Sequence, residues 1–265
     1  MLSWISLELT KLRRTSLLWV GVAAGLLAIL VSFYLAAADR MTQYTVDIFM
    51  GNLIANNQSS LFPFVAVLTV GRMMEAERTG HTLPGVLTVP VRFSTLLAAK
   101  LATGVVLTAG YSAVQWALGV VCCVGLALPG VEALPLLGHL ARLLANNLCL
   151  YAAVLPVTAL TAQFAGGYVA GTVFAVFYSF CSIPLSGHGF AAFYPISAGS
   201  VLMGLAGPAP TAAQRLCAGI SLGGTLLLGL LLTATARDRT KEHPARPDRP
   251  NGRAAQRPRR RAASR

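Results

Sequence analysis

The 265 residues are 55% hydrophobic and 11% charged, against roughly 25% charged in an average soluble domain, and they carry a formal charge of +12. A chain so poor in polar side chains cannot cover itself in water, which excludes an ordinary soluble globular fold and points to the bilayer. Its five cysteines show no CxxC spacing and all fall in apolar runs, so they read as small buried residues and not as a disulfide or metal framework.

At the N-terminus Leu2, Ile5, Leu9 and Leu12 recur at helical spacing, with Ser3, Ser6, Thr10 and Arg13 on the other face. That pattern predicts a short amphipathic helix at the membrane surface, the alternative being a cytoplasmic extension of the first span. A bilayer core about 30 Å thick takes roughly 20 apolar residues per helical crossing. Six uncharged stretches of that size follow, at 17–38, 52–71, 101–127, 143–163, 168–185 and 216–236. The first is too long for the core of a cleaved signal peptide, although Ala36-Ala37-Ala38 resembles a cleavage site. The second carries Asn56, Asn57, Gln58, Ser59 and Ser60 and is interrupted by Pro63, so either it starts later or its amides face protein or water.

Between the second and third spans, residues 73–100 are too polar and too punctuated by Pro84-Gly85 and Pro90 for a membrane helix, yet too apolar for a plain linker. They predict a structured connection of brief helices. Residues 186–214 hold no charge and are rich in Gly, Ala and Pro, which predicts half-buried or re-entrant helices, with a loose external loop as the alternative. Gly167/Gly171 and Gly219/Gly223 have spacing that permits close helix approach. Residues 237–265 hold 11 basic and three acidic residues and form a basic tail that cannot fold alone; it reads as touching anionic headgroups, and without interleaved aromatics no nucleic acid is expected.

Eighteen of the 21 Lys and Arg residues lie before the first span, between the second and third, or after the sixth; only Arg40, Arg142 and Arg215 lie opposite. This asymmetry places both termini in the cytoplasm. The expected fold is therefore all-α and polytopic: a permease-like domain of six transmembrane helices over 1–236, then a disordered basic cytoplasmic tail over 237–265.

Missing chemistry narrows the function. The spans contain no ionisable Asp, Glu, Lys, Arg or His for proton or ion coupling. Lys11, Lys100 and Lys241 are followed by Leu, Leu and Glu, so no P-loop is present and the chain is expected not to be an ATPase. Gly110-Tyr111-Ser112-Ala113 superficially resembles a membrane serine protease motif, but no span supplies a histidine base, and His139 and His188 fall in expected external segments. No metal and no cofactor are expected in this chain.

The segment from Glu75 to Arg92, followed by Lys100-Leu101, resembles the permease subunits of type-2 ABC exporters. In that family a Glu-Arg-x-Gly-Thr-like stretch leaves helix two, a Leu-Leu-x-x-Pro-like stretch ending in Arg follows, and Lys-Leu opens helix three. Glu77, Arg78, Gly80, Thr82, Leu83, Leu87, Pro90, Val91, Arg92 and Lys100 occupy those roles, while His81 and Pro84-Gly85 depart from the pattern. The likeness extends to the surface helix, the six spans and the apolar external segment, and is greatest to bacteriocin-immunity and drug-export permeases. It implies a bacterial cytoplasmic membrane protein, a P-loop ATPase partner that binds ATP, and a dimer with a second copy or a paralogous permease. It also implies an ATPase-coupling segment made of Glu75, Glu77, Arg78, Gly80, Leu83, Val86, Leu87, Pro90 and Arg92. In it Leu83, Val86 and Leu87 are the anchors and the charges form a rim. Gln115, Asn146, Asn147 and Gln163 are candidate substrate-path residues, with helix-to-helix hydrogen bonding as the alternative. The low-charge interior suits an amphipathic or hydrophobic cargo. A non-transporting scaffold or sensor subunit is the rival reading.

Overall fold

The computed structural model describes Thr10 and residues 17–38, 44–80, 92–187, 190–205 and 209–239, and among these there is helix and turn but no strand. The main helices in chain order are α1 (Leu17–Ala38), α2 (Val46–Asn56), α3 (Phe62–Thr79), α4 (Phe93–Gly125), α5 (Ala133–Thr161), α6 (Gly167–Phe180), α7 (Ser182–Gly187), α8 (Pro195–Leu202) and α9 (Ala212–Ala234). Among the described residues five helical stretches are long and apolar enough to cross a bilayer, and a sixth crossing results when α2 and α3 count as one span bent by 50°. Apart from Thr10, which is helical and exposed, the surface helix predicted for the N-terminus lies outside the described residues, as does the tail beyond residue 239.

The second span begins at Val46, six residues before the first uncharged residue of the sequence-based span, because Thr45 caps α2 with its hydroxyl and Asp47 lies in the first turn near the positive helix end. Its polar stretch does not end the helix. Asn57–Leu61 winds as a π-helical segment, and Pro63 falls in the first turn of α3, where a missing N–H does least harm. The inserted width turns Asn57 inward, fully buried, so that amide faces protein.

α5 is the hub of the bundle and packs against α9, α4, α3, α8 and α6. More than half of its most apolar stretch is buried, against about a sixth for α9, whose Leu216, Ile220, Leu227 and Leu231 face outward. An apolar outward surface is what a bilayer requires. Asp238, just after α9, reaches Arg78 near the end of α3, so the end of the last span lies beside the end of the second; we call this the basic end of the bundle.

Between α6 and α9 the chain dips back into the bundle. α8 is buried from Ile196 to Val201 and lies between α5 and α9. A methyl group at Gly199 would sit 2.6 Å from the Cβ of Cys149, so only glycine permits this approach. Cys149 is sixteen residues into α5, about 24 Å at 1.5 Å per residue, so α8 reaches deep into the bundle. The segment is re-entrant and more deeply inserted than half-burial at the surface would be. Gly167 and Gly171 likewise take up close contact with Thr161, whereas Gly219 and Gly223 meet no neighbour within 4 Å.

Candidate functional site

Polar chemistry is concentrated at two levels, one inside the bundle and one at its basic end. Inside, the Asn57 amide pairs reciprocally with Gln115: Asn57 Nδ2 donates to Gln115 Oε1 at 2.7 Å and Gln115 Nε2 donates to Asn57 Oδ1 at 2.8 Å. Asn57 also donates to Asn147 Oδ1 at 3.2 Å, and Asn147 donates to Ser112 Oγ at 2.9 Å, which in turn donates to the Thr108 carbonyl. The layer ties α4 and α5 to the break between α2 and α3. Ser112 is thereby engaged as a structural hydroxyl.

Of the four amides proposed for a path, only Gln115 and Asn147 join this layer. Asn146 is fully buried between α5 and α8, with neither side-chain polar atom hydrogen-bonded. Gln163 lies elsewhere, at the basic end. Replacing Asn57 by Leu strands partners on both neighbouring helices. At about 1–3 kcal/mol for an unsatisfied buried group, reduced because helices separated in a membrane also find partners, a net loss of about 2 kcal/mol is expected. Thermal unfolding in mild detergent would measure it, and Asn57→Leu combined with Gln115→Leu is expected to recover part of the loss.

At the basic end, α3 finishes in a cluster of charges that face the protein. Glu77 pairs with Lys100 of α4 at 3.3 Å, both nearly inaccessible to solvent, so Glu77 points into the bundle and not onto an outer rim. Arg78 donates to the carbonyls of Phe164 and Ala162 at 2.9 and 2.7 Å and pairs with Glu75 and Asp238 at 3.5 Å each. Ala162 is the C-cap of α5 and Phe164 lies in the turn after it, beside the partially negative helix end that a cation caps favourably; the Phe164 carbonyl also accepts from the Gly167 N–H. Glu75 accepts the Gly166 N–H at 3.0 Å at the turn where Gly166 takes φ +67 before α6 begins.

Gln163 completes the platform: its side chain accepts from the Arg237 N–H and its carbonyl from the Arg239 N–H, while the Arg239 guanidinium lies over the Phe164 ring. The ends of α3, α5 and α9 and the start of α6 are thus fastened together. Gly80 is the exposed turn residue leaving α3, and Arg92 is the exposed N-cap of α4. Leu83, Val86, Leu87 and Pro90, between them, lie outside the described residues.

Residues 4–182 match the family described as ABC-2 family transporter protein, about two thirds of the chain. The chain belongs to the ABC-2 transporter family. No curated protein matches it. Membership of ABC-2 transporters makes it a multi-pass membrane subunit of an ABC transporter and implies an ATPase partner, and the matched region contains both polar levels of the bundle except Arg237 and the residues after it.

In this ABC-2 permease the sequence reading missed Asn57 as the centre of the amide layer and Asp238 as part of the platform. Helical periodicity flagged neither, because a π-helical turn shifts the facing of Asn57 and Asp238 follows the last span. His139, expected in an external segment, is buried in the second turn of α5 and pairs with the exposed Asp47 at 2.9 Å, far from the basic end.

Proposed function

We propose that this chain is the membrane-spanning subunit of an ATP-driven exporter in a bacterial cytoplasmic membrane. It moves an amphipathic or hydrophobic cargo, such as a peptide antibiotic, a drug or a lipid, and a second copy or a paralogous permease completes the pathway. The chain itself is no enzyme and binds no cofactor; a separate P-loop ATPase binds ATP and docks on residues 81–91, with Leu83, Val86 and Leu87 as apolar anchors.

The observation that carries this reading is the family match across a segment whose flanking ends are braced. Glu77 ties the α3 end to α4, and Arg78 ties it to the α5 end and to the residues after α9. A displacement of the segment between α3 and α4 would therefore move several helix ends together instead of being absorbed by slack backbone. The amide layer, in which Asn57, Gln115 and Asn147 bond to one another, is the observation that favours the rival scaffold.

Purification of the tagged protein from its native membrane decides between them. Retention of a near-stoichiometric P-loop ATPase is expected, falling about tenfold or more in Leu87→Asp or on deletion of residues 79–90, since losing one apolar anchor of an interface costs about 2 kcal/mol or more. Absence of any ATPase after crosslinking in intact membranes would overturn the transporter reading.

A further inference from the structure

We infer that a slot between α1, α3 and α4 binds a neutral small molecule with an apolar body and one hydrogen-bond acceptor, a ketone, ester or ether oxygen, which the Tyr111 hydroxyl receives. The walls include Gly25 and Leu26 of α1, Phe62 and Val65 of α3, and Tyr111 and Val114 of α4, and they enclose about 430 Å³. Small-molecule pockets run from about 300 to 1,000 Å³ and are mostly apolar with a few fixed polar groups. Among the described residues no Asp, Glu, Lys, Arg or His lines the slot, so nothing there would offset a charge on the ligand. Leu26 and Val114, at 44% and 51% exposure, border it on the outside of the bundle and give entry from the bilayer.

Tyr111 sets the chemistry. Its hydroxyl oxygen is buried yet has no hydrogen-bond partner among the described residues. Thr108 and Tyr151 on the same walls already donate to the Gly104 and Leu101 carbonyls, and Gln115, one turn beyond Tyr111, is paired with Asn57. The Tyr111 ring is held in place: it is tilted at 52° against Phe62 with centroids 5.5 Å apart, and a methyl group on Gly25 would come within 3.4 Å of its hydroxyl oxygen. An O–H fixed in an apolar surround and left unbonded forfeits the interaction that water would give it, and an acceptor that reaches it restores that interaction.

Depth then decides what can bring the acceptor. Tyr111 is eleven residues beyond Lys100 and fourteen before the end of α4 at Gly125, about 16 and 21 Å at 1.5 Å per residue. Polar headgroup regions lie outside a hydrocarbon core about 30 Å thick, so a phospholipid passing Tyr111 presents methylene groups, which accept nothing. A helix of a second copy presents backbone carbonyls already bonded to its own N–H groups. A compact molecule that carries its acceptor into the core meets the demand. The inference concerns binding and does not depend on the transport reading.

The probe is benzophenone, a neutral ketone that inserts into nearby C–H bonds on irradiation, with the full chain in phosphatidylcholine vesicles. Peptide mass spectrometry locates the label. Labelling of Leu26, Val65 and Val114 is expected to saturate, and half-saturation is expected to need about fivefold more probe in Tyr111→Phe, the loss of one neutral hydrogen bond. Diphenylmethane, the same body without the oxygen, is expected to bind the parent chain about fivefold less tightly than benzophenone by competition, and this preference is expected to vanish in Tyr111→Phe.

Because the hydroxyl bonds to nothing, Tyr111→Phe is expected to unfold no earlier than the parent, which separates lost recognition from misfolding. Gly110 also lines the slot and a methyl group there meets nothing within 4 Å, so Gly110→Phe is expected to fill the space and abolish saturable labelling. Labelling that rises linearly with probe would overturn the site and show bilayer partition alone. A benzophenone preference that persists in Tyr111→Phe would overturn it by removing the hydroxyl from recognition. Protection of all three residues, with Leu26→Cys joining two copies by a disulfide, would overturn it in favour of a helix interface. None of these readouts bears on ATPase retention, so this proposal and the transporter reading fail independently.

Discussion

Lys100→Met is expected to destabilise the bundle by about 3–5 kcal/mol, because it removes the cation 3.3 Å from the buried Glu77 carboxylate. An exposed ion pair would be worth at most about 1 kcal/mol. Here the Lys100 and Glu77 side chains are 1% and 7% exposed, and the 3.3 Å contact is shielded from competing water. Glu77→Gln is expected to fail in the complementary sense, removing the carboxylate that faces the Lys100 ammonium. The double variant Glu77→Leu/Lys100→Met removes both charges and is expected to recover more than half of the loss. Recovery stays incomplete because both residues also engage other neighbours. Thermal unfolding in mild detergent gives the three values, and a single-variant loss below about 1 kcal/mol would show that water reaches the pair.

Much of the fold was legible because the bilayer imposes a simple demand on each crossing. α1 is helical throughout its uncharged run, since a helix apolar on all sides suits a lipid surround without a polar face to match. α4 and α5 run beyond their apolar runs, over residues such as Lys100 and His139 that hydropathy assigns to loops. Those residues are helical because tertiary partners, Glu77 and Asp47, compensate them, and such partners are invisible to a window along one chain. The π-helical segment has the same origin: reciprocal pairing of Asn57 with Gln115 joins positions 58 residues apart.

The candidate site was legible by half. Glu75, Glu77 and Arg78 were singled out through resemblance to a coupling motif, and the residues themselves are where the polar chemistry gathers. Their orientation was not readable, because whether a charge at a helix end faces water or protein depends on what the turn after α5 and the residues after α9 present to it. Gln163 shows the same limit. Grouped by composition with three interior amides, it instead holds the chain after the last span.

Arg78→Ala is expected to release that platform. The guanidinium supplies two charge-assisted hydrogen bonds to the α5 end and neutralises Glu75 and Asp238, and with each such bond worth about 1.5–3 kcal/mol the net loss is expected to reach about 3 kcal/mol. Arg78→Lys keeps the charge but replaces a planar fork by a single point, so it is expected to recover less than half. A local readout separates this role from general instability. The Gly166, Arg237 and Arg239 N–H groups donate to Glu75 and Gln163, so their hydrogen exchange is expected to accelerate in Arg78→Ala while the amides of α4 stay protected. If exchange at these three positions is unchanged, Arg78 does not hold the helix ends together.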